Sequence, residues 1–250
     1  MSFFVFAVAT STFVLAGFVK GVIGLGLPTV AMGLLAIVMT PAQAASLLVV
    51  PSLLTNVWQA TGPVLVPLVR RLWPMLLGIC LGTWLGGGFL TADDGTRASV
   101  GLGVVLALYG VLGLTSVEFF LPPSLEPWLS PLIGVATGLV TAATGVYMIP
   151  SVPYLQAIGL EKDELVQALG LSFTVSTLAL AATLVQVGAL QTSVAGASLL
   201  ALAPALIGMA LGQWVRAHFI VSVAGICCVA LVIFARKCHL SGYCAGLVSS

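Results

Sequence analysis

Residues 17–28 read GFVKGVIGLGLP. Four glycines, a lysine and a proline stand there inside a run that is otherwise apolar enough for a membrane helix. Exposed backbone amides are costly in hydrocarbon, so non-helical chain at membrane depth persists only when buried in protein or lining a watery cavity. This stretch therefore marks either close helix packing or the wall of a site.

The surrounding composition places the segment in a bilayer. Of 250 residues, 60% are hydrophobic and 6% charged, against about a quarter charged in ordinary soluble domains, and mean hydropathy is +1.21. Too few charged side chains exist to cover a water-facing surface, so the expected class is an all-α polytopic membrane protein. A net charge of +1 favours no nucleic-acid partner. The first residues, MSFFVFAVATSTFVLAGF, lack a basic start and a small-residue cleavage site, and read as a first membrane element rather than a signal peptide. The five cysteines (Cys80, Cys227, Cys228, Cys238, Cys244) and two histidines (His218, His239) form no metal spacing. No cofactor or metal is implied.

A span needs about 20 mostly apolar residues. Candidates are 3–19, a shorter piece 29–39, then 42–61, 72–91, 98–117, 128–142, a short 150–159, 165–186, 193–213 and 219–235. VRR at 69–71, TADDGTR at 91–97, EKDE at 161–164 and RAH at 216–218 read as charged turns. Arg70, Arg71, Arg236 and Lys237 read as interfacial anchors. SVEFFLPPSLEPWLSP at 116–131 carries four prolines and two glutamates, and it separates two halves of one transmembrane domain. Half one is about 3–117, the linker 118–130, half two about 131–236, and a short tail covers 237–250.

The halves repeat. Gly17 and Gly21 recur as Gly134 and Gly138, 117 residues later. Each pair is followed by a broken stretch, GLGLP (24–28) and TAATGVYMIP (141–150), and Ser52–Asn56 then lies over Ser172–Ser176 after a three-residue insertion. Matched interrupted segments in two halves point to the binding site of a secondary transporter. Half-helices starting after such breaks aim amide N–H groups and a positive dipole end into the site, which favours anions. The competing reading of Gly17-xxx-Gly21 and Gly134-xxx-Gly138 is small-residue helix packing.

Candidate substrate residues follow. They are Lys20, Gly21, Gly24 and Gly26 in the first break, and Thr141, Thr144 and Gly145 in the second. Ser52, Asn56 and Gln59 share one helix face by their i, i+4, i+7 spacing, and Ser172 and Ser176 occupy the corresponding face of half two. Lys20 reads two ways, as a cation on an anion's path or as a side chain snorkelling to the interface. The serines and Asn56 either hydrogen-bond neighbouring helices or replace water around an oxyanion.

These motifs resemble the TauE/SafE family of sulfite exporters and organosulfonate permeases. GFVKGVIGLGLP, SLLTNVWQA, and the degenerate second copy GLVTAATGVYMIP with ALGLSF carry the resemblance, which covers roughly 3–236. It implies an inner-membrane, multi-pass transporter of small sulfur-containing anions such as sulfite, thiosulfate or sulfonates. The partners implied are that anion and the bilayer, with a homodimer as an option. The breaks here are poorer in consecutive glycines than the family's pattern. An anion channel, or a carrier for a carboxylate, stays open. An enzyme is disfavoured, since no GxSxG or HExxH occurs and every acid falls at a predicted span end. A nucleotide loop fails because no GxGxxG is present.

Topology has two forms. Broken segments that each cross once give eight spans, the reading adopted. Re-entrant segments would change the parity and relate the halves by inversion.

Overall fold

The computed structural model describes residues 3–87, 89, 96–115, 120–188 and 192–218. The expected span 219–235, the 237–250 tail, Arg236, Lys237, His239, Asp93, Asp94, Glu118 and four of the five cysteines fall outside these residues. The described chain is entirely helical: α1 (Phe3–Ile23), α2 (Leu27–Leu35), α3 (Pro41–Ala60), α4 (Leu65–Leu85), α5 (Thr96–Thr115), α6 (Glu126–Thr144), α7 (Ser151–Ala157), α8 (Lys162–Gln186) and α9 (Thr192–His218). Among the described residues, four helices (α4, α6, α8 and most of α9) are long and apolar enough to cross a membrane.

Several helix bounds differ from the sequence expectation. Arg70 and Arg71 lie inside α4. The turn is 61–64, where Gly62 and Pro63 break the helix, and the arginine stems reach outward from the following turns. Residues 216–218 continue α9. Glu126 begins α6, so the connection between halves ends earlier than 130, with Pro127 at a position where its missing N–H costs nothing. Capping boxes start α3 and α8: Thr40 with Gln43, and Glu161 with Glu164.

Glycine contacts set the helix directions. A Cβ on Gly17 would collide with the Ala205 carbonyl, and one on Gly21 with the Met209 carbonyl, so α1 and α9 run parallel. Cβ atoms on Gly134 and Gly138 would strike the Met75 and Ile79 carbonyls, so α6 and α4 are parallel too. The two sets of contacts superpose when α1 is advanced by 117 positions and α9 moved back by 130. Thus α1 packs on α9 and α6 on α4.

The α3–α8 pair is antiparallel. Gln59 reaches the Val166 carbonyl near the start of α8, and Asn56 reaches Thr177 further along it. Near its start, α3 meets Ser198, whose hydroxyl donates to the Leu47 carbonyl. Near its end, α3 meets Lys20. Thus α1, α3 and α9 ascend together, and the short α2 descends between α1 and α3. The α1–α2 segment enters and leaves on one side.

By the same argument α6–α7 enters from the other side, since α8 starts where α6 starts. The broken segments are therefore re-entrant hairpins, which replaces the eight-span reading. Hydropathy alone misses this because α1, with 21 residues, is about 31 Å long and looks like a complete crossing.

One end of the bundle is marked by a bidentate ion pair, Arg71 Nε to Glu126 Oε1 at 2.7 Å and Nη2 to Oε2 at 2.8 Å. Arg71 also donates to the Ile158 carbonyl beyond α7. Exposed Trp58, Trp128 and Trp214 lie within two turns of helix termini at this end, where amphipathic rings favour the membrane–water interface.

Candidate functional site

Both hairpin tips depend on glycine. Gly26 caps α2 at φ 102° and Gly145 ends α6 at φ 73°, left-handed conformations that disfavour side chains with a Cβ. Pro28, at the start of α2, and Gly145 with Tyr147, from the second tip, line one small cavity with Ser52 and Thr177 from the α3–α8 pair. The remaining wall is apolar: Ala45, Leu48, Val49 and Leu180. Its volume is about 10 Å³, the space of one water. Ser52 stands near the middle of α3, so the cavity sits at mid-depth.

A polar cluster adjoins this cavity. The Lys20 ammonium donates to Thr55 Oγ1 at 3.0 Å and to Asn56 Oδ1. Asn56 Nδ2 donates to the Tyr147 hydroxyl at 3.2 Å and Thr177 Oγ1 at 3.4 Å. Thr177 bonds Tyr147 at 3.3 Å and Tyr147 leans on Phe173, ring centres 5.0 Å apart. Lys20 is 5% exposed and Asn56 fully buried. The snorkelling alternative for Lys20 is thereby excluded, because its head turns into the bundle. The described acids Glu126, Glu161, Asp163 and Glu164 all lie at the Arg71 end, and none bonds Lys20.

The other expected residues divide. Among the described residues, Ser52, Ser172 and Ser176 are buried with no hydrogen-bond partner for the hydroxyl, and Ser52 lines the cavity with Tyr147. Thr141 and Thr144 donate back to the Thr137 and Val140 carbonyls of their own helix. Gly21 is taken up by α9. Gln59 joins α3 to α8 outside the cluster. Gly24 is also left-handed, with open space where a Cβ would stand. Tyr147, Thr177 and Thr55 were missed by sequence reasoning. The one available signal was Tyr147, the sole aromatic residue of the second break.

A family model described as sulfite exporter TauE/SafE matches residues 9–235. The chain belongs to the TauE/SafE family. TauE/SafE proteins are membrane transporters rather than enzymes. No curated protein and no solved structure matches the TauE/SafE chain described here.

Proposed function

We propose that this protein is a carrier of small sulfur-containing oxyanions (sulfite, thiosulfate or an organosulfonate) across the cell's inner membrane. The substrate would occupy an expanded form of the space between the two tips. The observation carrying this reading is a small cavity lined in part by Ser52, Tyr147 and Thr177, next to an ammonium whose described partners, Thr55 and Asn56, are neutral oxygens. Hydroxyl and amide donors replace water around an oxyanion, and among the described residues no carboxylate bonds Lys20 in competition with the substrate. The first turn of α2 adds amide N–H groups and a positive dipole end beside Pro28. Gly24, Gly26 and Gly145 keep the tips slim, while Ser172 and Ser176 offer unpartnered hydroxyls on α8.

A space of about 10 Å³, no more than one water fills, suits a carrier between its open states better than an open pore. The experiment is uptake of radiolabelled sulfite into proteoliposomes, with thiosulfate, alkylsulfonates and carboxylates as competitors. Saturable uptake competed by sulfur oxyanions supports the proposal. Linear, uncompeted flux, or stronger competition by carboxylates, overturns it.

A further inference from the structure

The two halves put different chemistry at equivalent positions. The glycine contacts align α1 with α6 at a shift of 117, which sets Lys20 against Thr137. The shift of 120 that aligns Ser52 with Ser172 sets Asn56 against Ser176. Asn56 lies one helical turn, about 6 Å, beyond Ser52 toward the Arg71 end. Since α8 runs the opposite way, Ser176 lies as far beyond Ser172 toward the other end. Thus an ammonium and an amide flank the centre on one side. On the other side stand Thr137, whose hydroxyl is bonded to the Ile133 carbonyl of its own helix, and Ser176, whose hydroxyl has no partner among the described residues. Both Thr137 and Ser176 are fully buried.

Resting on the carrier reading, we infer that Lys20 is a one-sided affinity residue: it meets the anion only when the site opens toward the Arg71 end. In the closed form its ammonium is held by Asn56 and Thr55, which occupy the donors an anion would claim. Opening on that side releases them to the substrate. Opening on the other side offers neutral hydroxyls alone. Hydrogen bonds to a charged donor are about twice as strong as neutral ones, so the carrier grips its anion more tightly from the Arg71 end. Such a bias cannot change the gradient reached at equilibrium, because the conformational equilibrium offsets it. It shows in the concentration dependence of initial rates.

The test is initial-rate uptake of sulfite into vesicles holding the carrier in each orientation, assigned by protease access to a terminal tag. KM from the Arg71 end is expected to be lower by at least about ten-fold, the effect of one such contact. Lys20→Thr should raise that KM to the value of the opposite face and leave the opposite-face KM unchanged. Should Lys20→Thr fail to fold, Lys20→Gln, which keeps donors for Asn56 and Thr55, should behave in the same way. Equal KM values on both faces of the natural protein overturn the inference, as does a variant that raises both alike. Absence of saturable flux from either face for every anion tested would instead sink the carrier reading.

Discussion

Asn56 Nδ2 and the Tyr147 hydroxyl, 3.2 Å apart, join a helix of the first half to the re-entrant tip of the second. With its oxygen on Lys20 and its nitrogen on Tyr147 and Thr177, Asn56 uses both ends of its amide. Asn56→Ala leaves buried partners unsatisfied, at about 1–3 kcal/mol. Thermal unfolding in detergent should show that loss, and transport should fall by more than the folded fraction does. Asn56→Asp should keep the fold by pairing with Lys20 yet abolish anion transport, since the new carboxylate takes the charge. Undiminished flux in both variants would remove Asn56 from the site.

Ser52, Ser172 and Ser176 carry hydroxyls that are buried without partners. Taking away such a group relieves a desolvation penalty rather than breaking a bond. Ser52→Ala is therefore expected to leave stability unchanged or raised while lowering transport several-fold. Ser52→Leu should overfill the cavity, at about 1–3 kcal/mol, and block flux. A Ser52→Ala protein that is less stable and fully active would reverse the assignment.

The glycines separate into packing and tip positions. Gly17→Val and Gly134→Val put side chains onto the Ala205 and Met75 carbonyls, and both should prevent assembly of a monodisperse protein. Gly24→Ala meets no atom and pays only for a left-handed backbone, about 1–2 kcal/mol. It should be recovered folded, which size-exclusion chromatography will check.

Coupling should not run through a described carboxylate. Glu126, Glu161, Asp163 and Glu164 sit at helix starts at one end, away from Lys20 and the cavity. The membrane potential supplies about 2.3 kcal/mol per charge per 100 mV, so efflux of a monovalent anion from a negative interior needs no protein acid. In liposomes clamped at several voltages without pH or sodium gradients, flux should follow voltage. Each of Glu126→Gln, Glu161→Gln, Asp163→Asn and Glu164→Gln should retain it. Voltage-independent flux that tracks pH and vanishes in one of these variants would contradict the prediction.

Part of the polar cluster was legible because its residues are chemically out of place. A lysine among glycines, and an asparagine on an apolar helix, stand out against hydrocarbon whatever the fold. Thr177 and Thr55 did not, because a lone hydroxyl on a membrane helix usually bonds its own backbone, as Thr55, Thr141, Thr144 and Thr177 all do here. Their role comes from which helices meet. The repeat carried a stronger sign than the first glycine pairs. Pro74, Gly78 and Gly82 recur as Pro204, Gly208 and Gly212 at a constant shift of 130, and these are the helices onto which the first pairs pack. Re-entrance was not legible, since a hairpin tip and a short loop have the same hydropathy.

The pairing of α1 with α9, and of α4 with α6, bears on the order in which the protein is assembled. The glycine face of α1 finds its partner only in residues 192–218, almost at the far end of the described chain. During synthesis that face has no α9 to pack on until α3 to α8 have been made. The second half does not wait in this way, because α4 is already in place when α6 emerges. A ribosome paused before α9 would hold a nascent chain with its second hairpin seated and its first one loose, a distinction that protease protection of stalled intermediates can read directly.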